Sequence, residues 1–231
     1  PENKIYIIPH GVNQEIFKPI SKSEKKKVRK EYNLSKNNFI FLNLGAMTWN
    51  KGIDKLLLAF AIINKKFPHT KLILKDQSNL YQLNTHNLIK TVQKKNSIID
   101  KKVLSNILVI SKNLSLNNLN LLYAASDSYV APYRAEGFNL PPLEAASSGI
   151  PIIITNGGST DDYYNKSFAI KIKSKLMKKD NNIFLEPDIE SLIDAMSLLV
   201  EKKFYDFNFN ETQNFIKKKF SWSSIVKKLS L

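Results

Sequence analysis

The chain has no cysteine. Disulfides, thiol nucleophiles and zinc-thiolate centres are therefore excluded, and the absence fits a reducing compartment. No apolar run approaches the roughly 20 residues of a membrane-spanning helix, and the first residues carry no signal-peptide pattern. Histidine occurs three times, and no set of histidines and carboxylates has the spacing of a metal site, so no protein-bound metal is expected. His10 lies in a turn with Gly11 and reads as structural, as do His69 beside Pro68 and His86 in a polar helix. Acids are scarce beside bases, 20 against 35, giving a formal charge of +15. Anionic partners are favoured, although runs such as "KSEKKKVRK", "KIKSKLMKK" and "FIKKKF" read more simply as solvated helix faces. The aromatics do not interleave with these runs as a base-stacking platform would, so nucleic acid is not an expected partner.

What is present is a core-forming composition, 43% hydrophobic over 231 residues, arranged in alternating elements. Short β-branched and aromatic runs ("KIYIIP", "FIFLNLG", "TKLILK", "NILVIS", "DSYVAPY", "IPIIIT", "FAIKI") alternate with amphipathic stretches. The latter include "SEKKKVRKEY", "GIDKLLLAFAIINKKF", a long polar helix "QLNTHNLIKTVQKKNSIIDKK", "LNNLNLLYAAS", "LPPLEAASSG" and "DIESLIDAMSLLVEKK", with two closing helices. This predicts an α/β fold with a Rossmann-like, doubly wound parallel sheet. The stripe of Leu56, Leu57, Phe60 and Ile63 is expected in the core.

Ligands of such sheets bind outside the carboxyl ends of the strands. Five of the seven glycines, Gly45, Gly52, Gly137, Gly157 and Gly158, lie in strand-to-helix loops. Their placement fits both ordinary βα turns and close approach of backbone to a ligand. In "RAEGFNLPPLEAASSGIP", Pro141 and Pro142 suit the first turn of a helix and Asn139 its N-cap. The helix end would then offer free amides to an anion beside Glu136, while Glu144 lies within the first turns. Carboxylates reject phosphates but hold vicinal diols, and diols flank the diphosphate of a nucleotide sugar. A helix carboxylate placed only for the dipole is the plainer alternative. Asp161 and Asp162 read as acids of that plainer kind.

From "IYIIPHGVNQEIFKP" to "FSWSSIVKKL", nearly the whole chain resembles the C-terminal, donor-binding domain of family-four retaining glycosyltransferases, and most specifically in "EGFNLPPLEAASSGIPIIITNGGSTDD". The resemblance implies one half of a GT-B fold, a hexosyltransferase activity, and a nucleoside-diphosphate sugar as donor. It implies that Glu136 contacts the transferred sugar, with the amides of Gly137, Phe138, Asn139 and Leu140 near sugar and phosphates. Glu144 would hold the ribose diol, and Lys51, following the strand that ends at Gly45, would stabilise the leaving diphosphate. Ala46 stands where the family commonly has arginine, and Arg134 is the candidate for supplying that charge. "LILKDQ" replaces the usual glycine pattern after the third strand, which leaves the base contacts there undefined.

By the same resemblance, residues 1–20 form an interdomain linker and first strand, 21–220 the donor domain, and 221–231 a helix crossing back to an N-terminal domain. That domain would supply the acceptor side, and the acceptor is a glycan, a lipid-linked sugar or a small molecule. Alone, the chain is expected to transfer sugar weakly or not at all. A cytoplasmic location follows, with peripheral contact to an anionic membrane suggested by the basic runs. Two other readings stand beside this one: a nucleotide-sugar-binding module that has lost catalysis with the arginine, and a basic nucleic-acid-binding protein.

Overall fold

A computed structural model describes residues 7–77, 84–204 and 206–229. Six strands form one parallel sheet: β1 (Phe39–Gly45), β2 (Thr70–Asp76), β3 (Ile107–Ile110), β4 (Ser128–Ala131), β5 (Ile152–Thr155) and β6 (Ala169–Ile172). Their spatial order is β3-β2-β1-β4-β5-β6. The order reverses between β1 and β4, which are paired, so the crossover connections leave the sheet there in opposite directions. That is the switch point of a doubly wound fold, and the loops after β1 and β4 open on it.

Helices cover both faces. On one lie α2 (Ile53–Lys66), α3 (Thr85–Lys95), α4 (Lys101–Leu104) and α7 (Ile189–Val200). On the other lie α5 (Leu116–Ala125), α6 (Leu140–Ser147) and α8 (Phe209–Phe220). Alternation along β1 sends Phe41 to the first core and Ile40 and Leu42 to the second, each fully buried. Leu56, Leu57, Phe60 and Ile63 are buried under the sheet as their spacing predicts. The first helix, α1 (Lys22–Glu31), starts on a capping box: Ser21 Oγ accepts from the Glu24 amide at 3.2 Å, and Glu24 Oε2 accepts from the Ser21 amide at 2.9 Å.

Three elements differ from the sequence reading. Of the expected strand "KIYIIP", residues 4–6 lie outside the described residues and 7–9 form no strand. The long polar helix is two: α3 ends at Asn96, whose side chain turns back to the Val92 carbonyl, and Asp100 caps α4 by accepting from Val103 N at 2.9 Å. Polar character does not make the stretch continuous, because the asparagine and aspartate within it are stop and start signals. The run "KIKSKLMKK" is no helix face: it ends β6 and forms β7 (Ser174–Lys179), an antiparallel hairpin with β8 (Asn182–Pro187). Near the C-terminus, Val12 pairs with Ser221 between α8 and α9 (Trp222–Leu229), and a methyl on Gly11 would meet Trp222 at 2.9 Å.

Candidate functional site

Each side of the switch point contributes one charged residue. After β1 the chain turns through a 3-10 turn, Trp49–Lys51, closed by Gly52 in the left-handed conformation at φ 67°. Any Cβ at Gly52 would sit 1.8 Å from the Pro132 carbonyl, so only glycine lets this turn lie against the end of β4. The stem of Lys51 runs back over Gly45, where an added Cβ would meet Lys51 Cε at 2.9 Å. Its ammonium reaches Glu136 Oε1 at 2.5 Å. Apart from this ion pair, Oε1 is buried without a hydrogen-bond donor.

Lys51, Glu136 and Gly45 line one cavity of about 390 Å³, together with Leu44, Ala46, Thr48, Asn50, Gln77 and Pro141. The loop after β4 enters α6 through Asn139, a left-handed residue at φ 59°. Asn139 occupies the N-cap as expected, but its side chain caps nothing, and its buried Nδ2 has no hydrogen-bond partner. Instead its carbonyl accepts from the Tyr163 hydroxyl at 2.7 Å, which fixes the loop. Among the described residues, no acceptor takes the amides of Gly137, Phe138, Asn139 or Leu140, and Pro141 and Pro142 have none to give. A Cβ at Gly137 would meet nothing within 4 Å. The helix thus opens with unspent donors and its positive dipole end.

Glu144 is not part of the cavity lining. It accepts from the Tyr123 hydroxyl at 3.0 Å. Burial raises its pKa to about 7, against the opposing effect of that hydrogen bond. Burial raises the pKa of Tyr129, its hydrogen bond to Leu44 opposes, and the charges of Glu136 and Glu144 add to the rise.

Arg134 does not line the cavity. It is 3% exposed, and all five of its N–H donors are used within the protein. Nε donates to Glu186 Oε2 at 2.7 Å, Nη1 to Asp54 Oδ1 at 2.7 Å and to the Trp49 carbonyl at 2.9 Å, and Nη2 to Asp54 Oδ2 at 2.8 Å and Glu186 Oε1 at 3.2 Å. The direct diphosphate contact expected of it is withdrawn, since no donor remains to make it. Asp54 and Glu186 escaped the sequence reading. Glu186 lies 52 residues away on a hairpin that was not foreseen, and Asp54 looked like an ordinary acid in the first turn of a helix. The His10 and Phe138 rings lie tilted to one another with centroids 5.4 Å apart, and Asp161 accepts from Gly157 N and pairs with Lys171. None of these is drawn into the cavity.

Comparison with known proteins places this geometry. The sequence profile of the family "Glycosyl transferases group 1" matches residues 24–222. A relative from Escherichia coli, UDP-Gal:alpha-D-GlcNAc-diphosphoundecaprenol alpha-1,3-galactosyltransferase, is 29% identical over 203 residues, which are 87% of this chain and 46% of the relative. Among solved structures, a glycosyltransferase from Rickettsia africae ESF-5 superposes with a TM-score of 0.77 at 19% identity, over all of this chain and 56% of that one. Anabaena Alr3699/HepE in complex with UDP-glucose superposes at 0.75 and 16% identity, over 97% and 56%. The chain spans between a third and about half of the length of the curated relatives it matches. With a matching profile over most of its length and this sheet order, the chain belongs to the glycosyl transferases group 1 family and has the Rossmann-like α/β architecture of one half of a GT-B fold.

Proposed function

We propose that this chain is the donor half of a retaining hexosyltransferase. A nucleoside-diphosphate sugar would lie across the switch point, with its diphosphate between Lys51 and the amides of residues 137–140. Glu136 would accept hydrogen bonds from the transferred sugar, and Glu144 from the ribose diol. Lys51 and the α6 amides then stabilise the negative charge that grows on the leaving diphosphate, so bond breaking is assisted electrostatically by groups already in place. Sugar passes to an acceptor hydroxyl of a glycan, lipid-linked sugar or small molecule, held by an N-terminal domain. No protein-bound metal enters this reading, because the lysine and the helix end supply the positive charge.

The observation that carries the proposal is that Lys51 and Glu136 line one cavity at the carboxyl ends of β1 and β4, with the four unspent amides of residues 137–140 in the segment that joins its lining residues Glu136 and Pro141. That three structures of HepE hold UDP, UDP and glucose, or UDP-glucose supports the ligand class. A second reading, a binding module without turnover, is favoured by Ala46, which lines the cavity where the family commonly has arginine. Titration with UDP, GDP, ADP and their hexose conjugates, repeated on Lys51→Ala, tests the first. One base series should bind and weaken about tenfold or more without the ammonium. Binding that is indifferent to Lys51→Ala sinks the donor site. Equal affinity with no transfer in a chain carrying its N-terminal domain selects the second reading.

A further inference from the structure

Arg134 ties together three pieces of chain. Its guanidinium binds the carbonyl of Trp49 in the Lys51 turn, the carboxylate of Asp54 at the start of α2, and that of Glu186 on the β7–β8 hairpin. Trp49 covers the guanidinium at 4.8 Å and in turn meets Phe184 of the hairpin edge-on at 4.8 Å. The backbone repeats the pattern. Arg134 N donates to Asn50 O at 2.6 Å, Asn50 Nδ2 donates to Ala135 O at 3.1 Å, and Leu185 N donates to Arg134 O at 2.8 Å. Lys55 pairs with Glu186 at 2.8 Å, so the cluster holds two cations against two carboxylates.

The consequence lies in sequence spacing. Lys51 is two residues beyond Trp49, and Glu136 two residues beyond Arg134, so a clamp across Trp49, Asn50 and Arg134 sets the separation of the two groups that line the cavity. A bidentate guanidinium fixes angles as well as distances, which an ammonium does not. We infer that Arg134, held by Asp54 and Glu186, is a positioning residue that fixes the spacing of Lys51 and Glu136, and that the β7–β8 hairpin is thereby an outer support of the donor site. This inference rests on the donor reading above.

The test is a thermodynamic cycle on the full chain with UDP, GDP and ADP as probes, using Arg134→Lys, Glu186→Ala and Lys51→Ala, singly and combined. Arg134→Lys keeps the charge but cannot serve two carboxylates and a carbonyl together. Glu186→Ala leaves the guanidinium with Asp54 and therefore keeps the fold if the first variant does not. Each is expected to weaken the selected nucleotide about fivefold to tenfold, and neither to weaken it further once Lys51 is alanine. A purely structural role would lower the melting temperature, leave nucleotide affinity unchanged in the folded fraction, or add its effect to that of Lys51→Ala. Wild-type affinity in Glu186→Ala, or additivity in the double variants, overturns the positioning role while Lys51→Ala alone still weakens binding. If Lys51→Ala itself binds like the wild type, the donor reading falls and this inference with it.

Discussion

A methyl group added to each of two glycines, next in sequence to the cavity residues Lys51 and Glu136, meets two different surroundings, and this separates fold from function residue by residue. At Gly52 it would overlap the Pro132 carbonyl at 1.8 Å with a left-handed backbone. Gly52→Ala should cost more than about 3 kcal/mol and be seen as a large fall in melting temperature. At Gly137 it meets open space, so Gly137→Ala should change stability by less than about 0.5 kcal/mol. If the amides there cradle a sugar diphosphate, the same methyl stands in the ligand's path and affinity drops about tenfold or more. Unchanged affinity in Gly137→Ala would remove the amides from the site. Glu144 gives a pH test with a definite sign. Its folded pKa of about 7 lies above the ordinary 4.5, so its contribution to stability is fully present below about 4.5 and is lost as pH rises through 7. Glu144→Gln should therefore be more stable than the wild type at pH 8, by at most about 3 kcal/mol, and lose that advantage near pH 4.5. If Glu144 holds the ribose diol as proposed, the hydroxyls favour its ionised form, and nucleotide affinity should rise between pH 6 and 8 in the wild type and stay flat in the variant. Parallel pH profiles of stability for the two proteins would refute the burial argument.

At the scale of elements, the start of α6 shows what a sequence does and does not disclose. The prolines of "LPPLEAAS" announce a first turn, and the helix begins there. Asn139 was read as a side-chain cap because asparagine favours that position, yet it was placed for its backbone: asparagine tolerates φ 59° where most residues do not. Asn139→Gly should accordingly leave stability nearly unchanged, whereas Asn139→Ala should cost about 1–2 kcal/mol, measurable by urea unfolding. An alanine variant as stable as the glycine one would show that the left-handed turn is not a constraint. The strands were legible because parallel strands buried on both faces read as continuous β-branched runs, and the strand-to-helix loops followed from their alternation with helices, but which two of those loops meet at the switch point was shown only by the strand order of the structure. Glu136 was legible as a carboxylate in one of these loops, whereas Lys51 was singled out by the resemblance to the family. The hairpin was not legible: its lysines belong to exposed strand positions, and a period of two is hard to see when only Phe184, Leu185, Glu186 and Pro187 are turned toward the domain. Glu186 as a partner of Arg134 was hidden for the same reason, since the contact depends on that hairpin.

For the molecule as a whole, the +15 charge raises the question of where an anionic surface would meet it. Several basic runs lie on solvated helix faces, with Lys25 committed to Asp127 and Lys66 to Glu201. The hairpin differs because its lysines accompany bare apolar side chains. Leu176 and Ile183 are 73% and 64% exposed, Met177 is exposed as well, and Lys175, Lys178 and Lys179 stand among them. Lysine stems cover apolar surface while their heads seek phosphate, and each contributes about 1 kcal/mol near an anionic bilayer. No helix among the described residues is long and apolar enough to cross a membrane, so contact of this kind would be peripheral. We expect the chain to sediment with phosphatidylglycerol-containing vesicles and not with pure phosphatidylcholine. Leu176→Asp with Ile183→Asp should abolish most of that binding without altering the fold, because both side chains already face water. Binding that survives these substitutions would move the contact to the helical lysine runs. Sedimentation with neither vesicle would leave the excess charge to the nucleotide and the cavity, and would end the case for a membrane contact.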